Sequence, residues 1–105
     1  MENLFVYGTL LNPRIRDRVF GQSLSGFRDA LPGFRKVERM VGDTYPGLLP
    51  SEDSSAVVEG IRFSMPGDIL RRVDSYEGTL YFRKTLDLLS GAEAWVYFPA
   101  ENRKP

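Results

Sequence analysis

The sequence predicts a single α+β domain with a mainly β core, folded as a small barrel or a strongly curled sheet. Three observations carry that expectation. The segments run strand, helix, several strands, helix, hairpin, and only two stretches have helical periodicity. The chain has 105 residues, enough for one core and too few for two. Apolar residues make up 42% and charged residues 27%, the balance of an ordinary globular protein, with no repeat or linker to divide it.

Residues 3–9 read as the first strand. Phe5 and Tyr7 point one way, Leu4 and Val6 the other, so both faces are expected to be buried. Asn12 is a good helix N-cap, Pro13 suits the first helical position, and Gly21 can end the helix. Ile15, Val19 and Phe20 form its apolar stripe, while Arg14, Arg16 and Arg18 read as solvated. Short strands are expected at 27–31 and 34–41, with Pro32-Gly33 as the turn between them and Gly42-Asp43 as the turn after. Tyr45 to Pro50 reads as irregular, because its two prolines and a glycine argue against a central strand. Residues 51–55 are polar and read as a loop.

Val57 to Met65 is the clearest alternating strand. Val57, Ile61, Phe63 and Met65 share one face with Glu59, and Gly60 on the other marks a bulge or a close backbone approach. Asp68 is the expected N-cap of a second helix, from Ile69 to about Tyr76. Residues 81–89 and 92–98 form a hairpin around Ser90-Gly91, and residues 100–105 read as a frayed tail.

Composition removes several function classes. Lys and Arg total 14, as do Asp and Glu, so the formal net charge is zero and the basic excess expected of a nucleic-acid or anionic-membrane binder is missing. The chain has no cysteine and no histidine, so disulfides, thiolate chemistry, Ser-His-Asp catalysis and His metal sites are excluded. Its acids show no metal-ligand spacing, and no metal is expected. Acid–base work near neutral pH falls to a carboxylate, Tyr, Lys or the N-terminus. No segment is apolar enough to span a bilayer, and Met1-Glu2-Asn3 does not start a signal peptide, so a cytosolic protein is expected. The oligomeric state is left open.

Two stretches carry chemistry. Leu4 to Leu10 runs from a strand through Gly8 into a helix start, a pattern that can aim backbone N–H groups at an anion. Gly8 would permit close approach and positive φ there. A plain core strand with a tight turn fits the same pattern. In Asp74-Ser75-Tyr76-Glu77-Gly78, Glu77 follows Ile69 and Val73 at i+4 spacing, on the inward stripe with Tyr76 and with Leu70 at its edge. Desolvation there would raise its pKa and let it exchange a proton near neutrality. A helix frayed before Glu77, or a salt bridge from Glu77 to Arg83, would remove that role. Asp74 reads as structural, bonded to backbone or to Arg71 or Arg83. Arg83, alternating with Tyr81, could hold a carboxylate or make an ordinary ion pair. Tyr45, Trp95 and Tyr97 read as core or rim aromatics ahead of ligand platforms, although Trp95 and Tyr97 alternate with Val96 and Phe98, so one of those faces could line a pocket.

These residues together resemble the γ-glutamylcyclotransferase-like superfamily, with its AIG2-like and γ-glutamylamine cyclotransferase branches. Tyr7-Gly8-Thr9-Leu10 is similar to its Tyr-Gly-Ser/Thr-Leu signature. Tyr45-Pro46-Gly47, Val58-Glu59-Gly60, Asp74 to Gly78 with Tyr81-Phe82-Arg83, and Trp95-Val96-Tyr97 follow in the family's order. The resemblance implies a small mixed barrel flanked by helices, spanning residues 1–105. It implies cyclisation of a γ-glutamyl amide to 5-oxoproline with release of an amine, and no cofactor. It carries the catalytic glutamate onto Glu77 and the substrate-binding loop onto Tyr7, Gly8, Thr9 and Leu10. The strand alternation adds Arg83 and Tyr97 as expected substrate contacts. A non-catalytic small-molecule-binding module of the same fold is the rival expectation.

Overall fold

The middle strand of the molecule is β1, Glu2–Val6. In this computed structural model, which describes residues 1–41 and 45–100, β1 pairs antiparallel with β5 (Val57–Met65) and parallel with β7 (Glu93–Pro99). Adding β2 (Gly26–Pro32) beside β5 and β6 (Tyr81–Asp87) beside β7 completes a five-stranded mixed sheet, in the order β2-β5-β1-β7-β6. The sheet is open, with β2 and β6 as its edges, so the curled-sheet alternative holds and the closed barrel does not. β3 (Phe34–Val41) and β4 (Tyr45–Pro50) form a separate two-stranded sheet.

Alternation along β1 explains the layering. Leu4 and Val6 pack on one face with Phe20 of helix α1 (Pro13–Phe20) and with Ile69, Leu70 and Val73 of helix α2 (Gly67–Glu77). Phe5 and Tyr7 pack on the other with Leu31, Leu48 of β4, Val58, Val96 and Phe98. Both faces of β1 are buried, one under helices and one under the β3–β4 hairpin. Gly60 lets β5 run against β1, because a Cβ there would collide with the Val6 carbonyl oxygen.

Helix α1 starts and stops as its sequence directs. The Asn12 side chain accepts from the N–H of Arg14 and Ile15, and Gly21 closes the helix in the left-handed region at φ 78°. Other segments depart from expectation. The first strand ends at Val6 instead of residue 9, because a 3₁₀ turn over Thr9–Leu11 intervenes. Tyr45–Pro50 is a strand after all: in a two-stranded sheet every strand is an edge, where a proline without an N–H is tolerated. The N-cap of α2 is Pro66, with Asp68 inside the first turn. The shared face expected for Val57, Ile61, Phe63 and Met65 holds only towards the C-terminal end of β5. Phe63 and Met65 are buried under the helices, Val57 at the strand's start is exposed, and Val58 is buried on the hairpin side. The turn expected at Gly42-Asp43 and the tail beyond Ala100 lie outside the described residues. No described helix is long and apolar enough to cross a membrane.

Candidate active site

Where β1 ends, a cavity of about 200 Å³ opens between the helix layer and the β3–β4 hairpin. The end of β1 and the loop after it, Phe5 to Leu10, form one wall, Tyr45 and Pro46 of β4 face them, and Tyr76, Glu77, Leu80, Tyr81 and Tyr97 complete the lining. Residues far apart in sequence meet here because β1 and β7 are sheet neighbours and α2 leads directly through a 3₁₀ turn into β6.

Glu77 is the last residue of α2. The helix persists to its carboxylate and turns away at Gly78, where φ is 69°. Ile69 and Val73, earlier on the stripe, are buried, while Tyr76 is rotated towards the rim and 44% exposed. Among the described residues, no ion pair or hydrogen bond holds the Glu77 side chain. Loss of solvation pushes its pKa up to about 7. A frayed helix and a Glu77–Arg83 salt bridge are both ruled out.

Arg83 is instead gripped by Asp74. Its Nε donates to Asp74 Oδ1 at 2.7 Å and Nη2 to Oδ2 at 3.1 Å, a bidentate geometry. The guanidinium also lies 4.2 Å from the centroid of the Trp95 ring, whose Nε1 donates to Glu2. Neither Arg83 nor Trp95 lines the cavity. The Arg83 hydrogen bonds, helped by one from Tyr97, hold the Asp74 carboxyl below the usual carboxylate range against the opposing effect of burial. Asp74 is structural, as its position implied.

Three tyrosine hydroxyls are fixed around Glu77. Tyr7 donates to the Tyr97 backbone carbonyl at 2.6 Å, Tyr81 to the Pro46 carbonyl at 2.8 Å, and Tyr97 to the Asp74 carboxylate. Burial raises all three phenol pKa values, with the nearby Glu77 charge contributing to each; Tyr81 reaches about 12. Tyr81 is visible in the sequence only as the alternating partner of Arg83, and its bond to Pro46 spans two separate sheets. Tyr76 ties α2 to the loop through a hydrogen bond of 3.0 Å with Thr9 Oγ1.

The loop differs from expectation in its reason for a glycine. Gly8 has φ −121°, so left-handed freedom is not used. The close approach is: a Cβ on Gly8 would lie 2.9 Å from Pro46 Cγ. The α1 N-terminus is also unavailable to a ligand, because Asn12 takes its first N–H groups. Leu11 and Asn12 donate to the Gly8 and Thr9 carbonyls. The N–H groups of Gly8, Thr9 and Leu10 have no backbone acceptor among the described residues.

The sequence model described as gamma-glutamyl cyclotransferase, AIG2-like, matches residues 4–105. The chain belongs to this family. AIG2-like protein A of Arabidopsis thaliana is 30% identical over 90 residues, covering 85% of this chain and 53% of that protein. The chain thus spans about half the length of the curated relatives it matches. A solution structure of an Arabidopsis thaliana protein superposes with a TM-score of 0.78 at 26% identity, over 99% of this chain and 72% of that one. The crystal structure of an AIG2-like protein from Mus musculus shares the fold, with a TM-score of 0.74 at 24% identity over 95% of this chain and 78% of that one. Within that shared fold the present chain brings the loop, the α2 end and the closing strand to a single cavity.

Proposed function

We propose that the protein is a γ-glutamyl cyclotransferase that converts a γ-glutamyl amine or peptide to 5-oxoproline and the free amine, with Glu77 as the acid–base group. The observation that carries this reading is a carboxylate without a partner among the described residues, at the end of a buried helix stripe, facing a cavity, with a pKa near 7. Family membership supports the same chemistry.

The α-ammonium of the substrate must lose a proton before its nitrogen can attack. Glu77 takes that proton. The neutral amine then attacks the γ-carbonyl carbon, forming the ring C–N bond and a tetrahedral centre. As the tetrahedral centre collapses and the original amide C–N bond breaks, Glu77 passes that proton to the departing nitrogen and takes the second proton from the ring nitrogen, which the released amine then carries off as an ammonium ion. One carboxylate serves both steps, which suits a chain without histidine. The free N–H groups of Gly8, Thr9 and Leu10 suit the substrate α-carboxylate. Pinning that carboxylate while the cavity folds the glutamyl chain brings amine and carbonyl into near-attack geometry. The chemistry draws on no metal or cofactor. A panel of γ-glutamyl dipeptides, ε-(γ-glutamyl)lysine and γ-glutamyl amides, assayed for 5-oxoproline, tests the reading and identifies the leaving group. If no member yields 5-oxoproline but ligands still bind, the non-catalytic module replaces it.

A further inference from the structure

The hydroxyl hydrogens of the cavity tyrosines are already committed. Tyr7 gives its hydrogen to the Tyr97 carbonyl, Tyr81 to the Pro46 carbonyl and Tyr97 to the Asp74 carboxylate, acceptors that cannot donate in return. The Arg83 grip keeps Asp74 ionised, so the Tyr97 hydrogen has a permanent acceptor. Each phenol therefore has only oxygen lone pairs left for the cavity. Glu77, when ionised, adds another acceptor. Among the described residues, the side chains around Glu77 supply no cation to balance it, since Arg83 is withheld by Asp74 and no described Lys or Arg lines the cavity.

We infer that the phenolic oxygens of Tyr7, Tyr81 and Tyr97 form, with Glu77, an acceptor-only cage that selects a primary ammonium group. Asp74 and Arg83 are positioning residues that act through Tyr97. This inference rests on the proposed site but not on its chemistry. With the loop N–H groups on the opposite requirement, the cavity reads both ends of an α-amino acid: N–H groups for the carboxylate and oxygens for the ammonium. Acylation of the amine removes the positive charge and two of its three N–H donors, so an N-acylated γ-glutamyl compound is rejected at binding as well as at chemistry.

The test compares L-norleucine with hexanoate, two unreactive probes of equal chain length that differ by the ammonium. Binding of each is measured by NMR titration at pH 8 to wild type, Tyr81→Phe and Tyr97→Phe. Wild type should bind norleucine at least about tenfold tighter than hexanoate, the scale of one charge-assisted hydrogen bond. Each Phe variant should lose several-fold in norleucine affinity while hexanoate affinity stays unchanged, which also certifies the fold. Equal binding of the two probes to wild type, equal losses for both in the variants, or no norleucine binding at millimolar concentration overturns the cage. Norleucine preference without 5-oxoproline release from any γ-glutamyl compound would instead remove the cyclotransferase and leave the ammonium site standing.

Discussion

The raised pKa of Glu77 sets two pH dependences. In the proposed mechanism the carboxylate form starts the reaction, so kcat/KM should rise tenfold per pH unit below about 7 and level off above it. A pH-independent rate between about 5 and 8 would contradict the assignment. For stability the sign is opposite. Between 4.5 and about 7 the folded state holds a proton that the unfolded chain has released, so stability falls as pH rises through that window. Thermal melts of Glu77→Gln should coincide with wild type at pH 4 and lie above it at pH 8; a lower melting temperature at pH 8 would mean that the carboxylate has a stabilising partner. The inward position of Glu77 is legible in the sequence, because i+4 spacing from Ile69 and Val73 is a local property of a helix. What spacing does not reveal is the competition for Arg83. That residue bonds Asp74 instead, and only the side-by-side placement of α2 and β6 decides it.

At the scale of elements, α1 can be read from Asn12, Pro13 and Gly21 alone, since caps act within a turn. The β4 strand cannot, because proline is excluded only from central strands and nothing local says which strand is central. The Tyr81–Pro46 bond is hidden for the same reason, linking residues 35 apart in the chain. The loop glycine stands out in the sequence, but for the wrong cause, as its φ is negative and the Pro46 ring is what fills the space. Gly8→Val should therefore push β4 away from the loop and weaken binding of norleucine and of γ-glutamyl substrates by about tenfold or more, with the melting temperature little changed. The reading fails if affinity is unaltered. Pro46→Ala in the Gly8→Val background should recover part of the loss by vacating that space.

Across the whole molecule, the sheet is a frame that brings β1, β7 and the α2–β6 junction to one place. The order of segments indicates its class, but barrel closure depends on how β2 and β6 sit as edges, which alternation does not encode. A second anchor lies away from the cavity. Asp29 is 8% exposed and accepts from the Ser90 hydroxyl at 2.6 Å and Arg62 Nε at 3.0 Å, fixing the β6–β7 turn to β2 and β5. The β1–β5 pair has no room for a side chain at Gly60, so Gly60→Ala should cost about 1–3 kcal/mol through overpacking against Val6 and the Phe5 ring. Urea denaturation would read this as a lower midpoint with an unchanged slope, and an unshifted midpoint would mean that the strands can separate without penalty.

The most direct measurement of the central claim is release of 5-oxoproline from a competent γ-glutamyl compound by wild type and by Glu77→Gln, with substrate binding followed separately. Gln keeps the shape of Glu77 and removes its proton transfer. General acid–base catalysis contributes about 10²–10⁴-fold, so turnover should fall by at least that order. Binding at the Gly8–Leu10 loop should persist, weakened only through the lost ammonium contact. Turnover by Glu77→Gln within a few-fold of wild type would contradict the account.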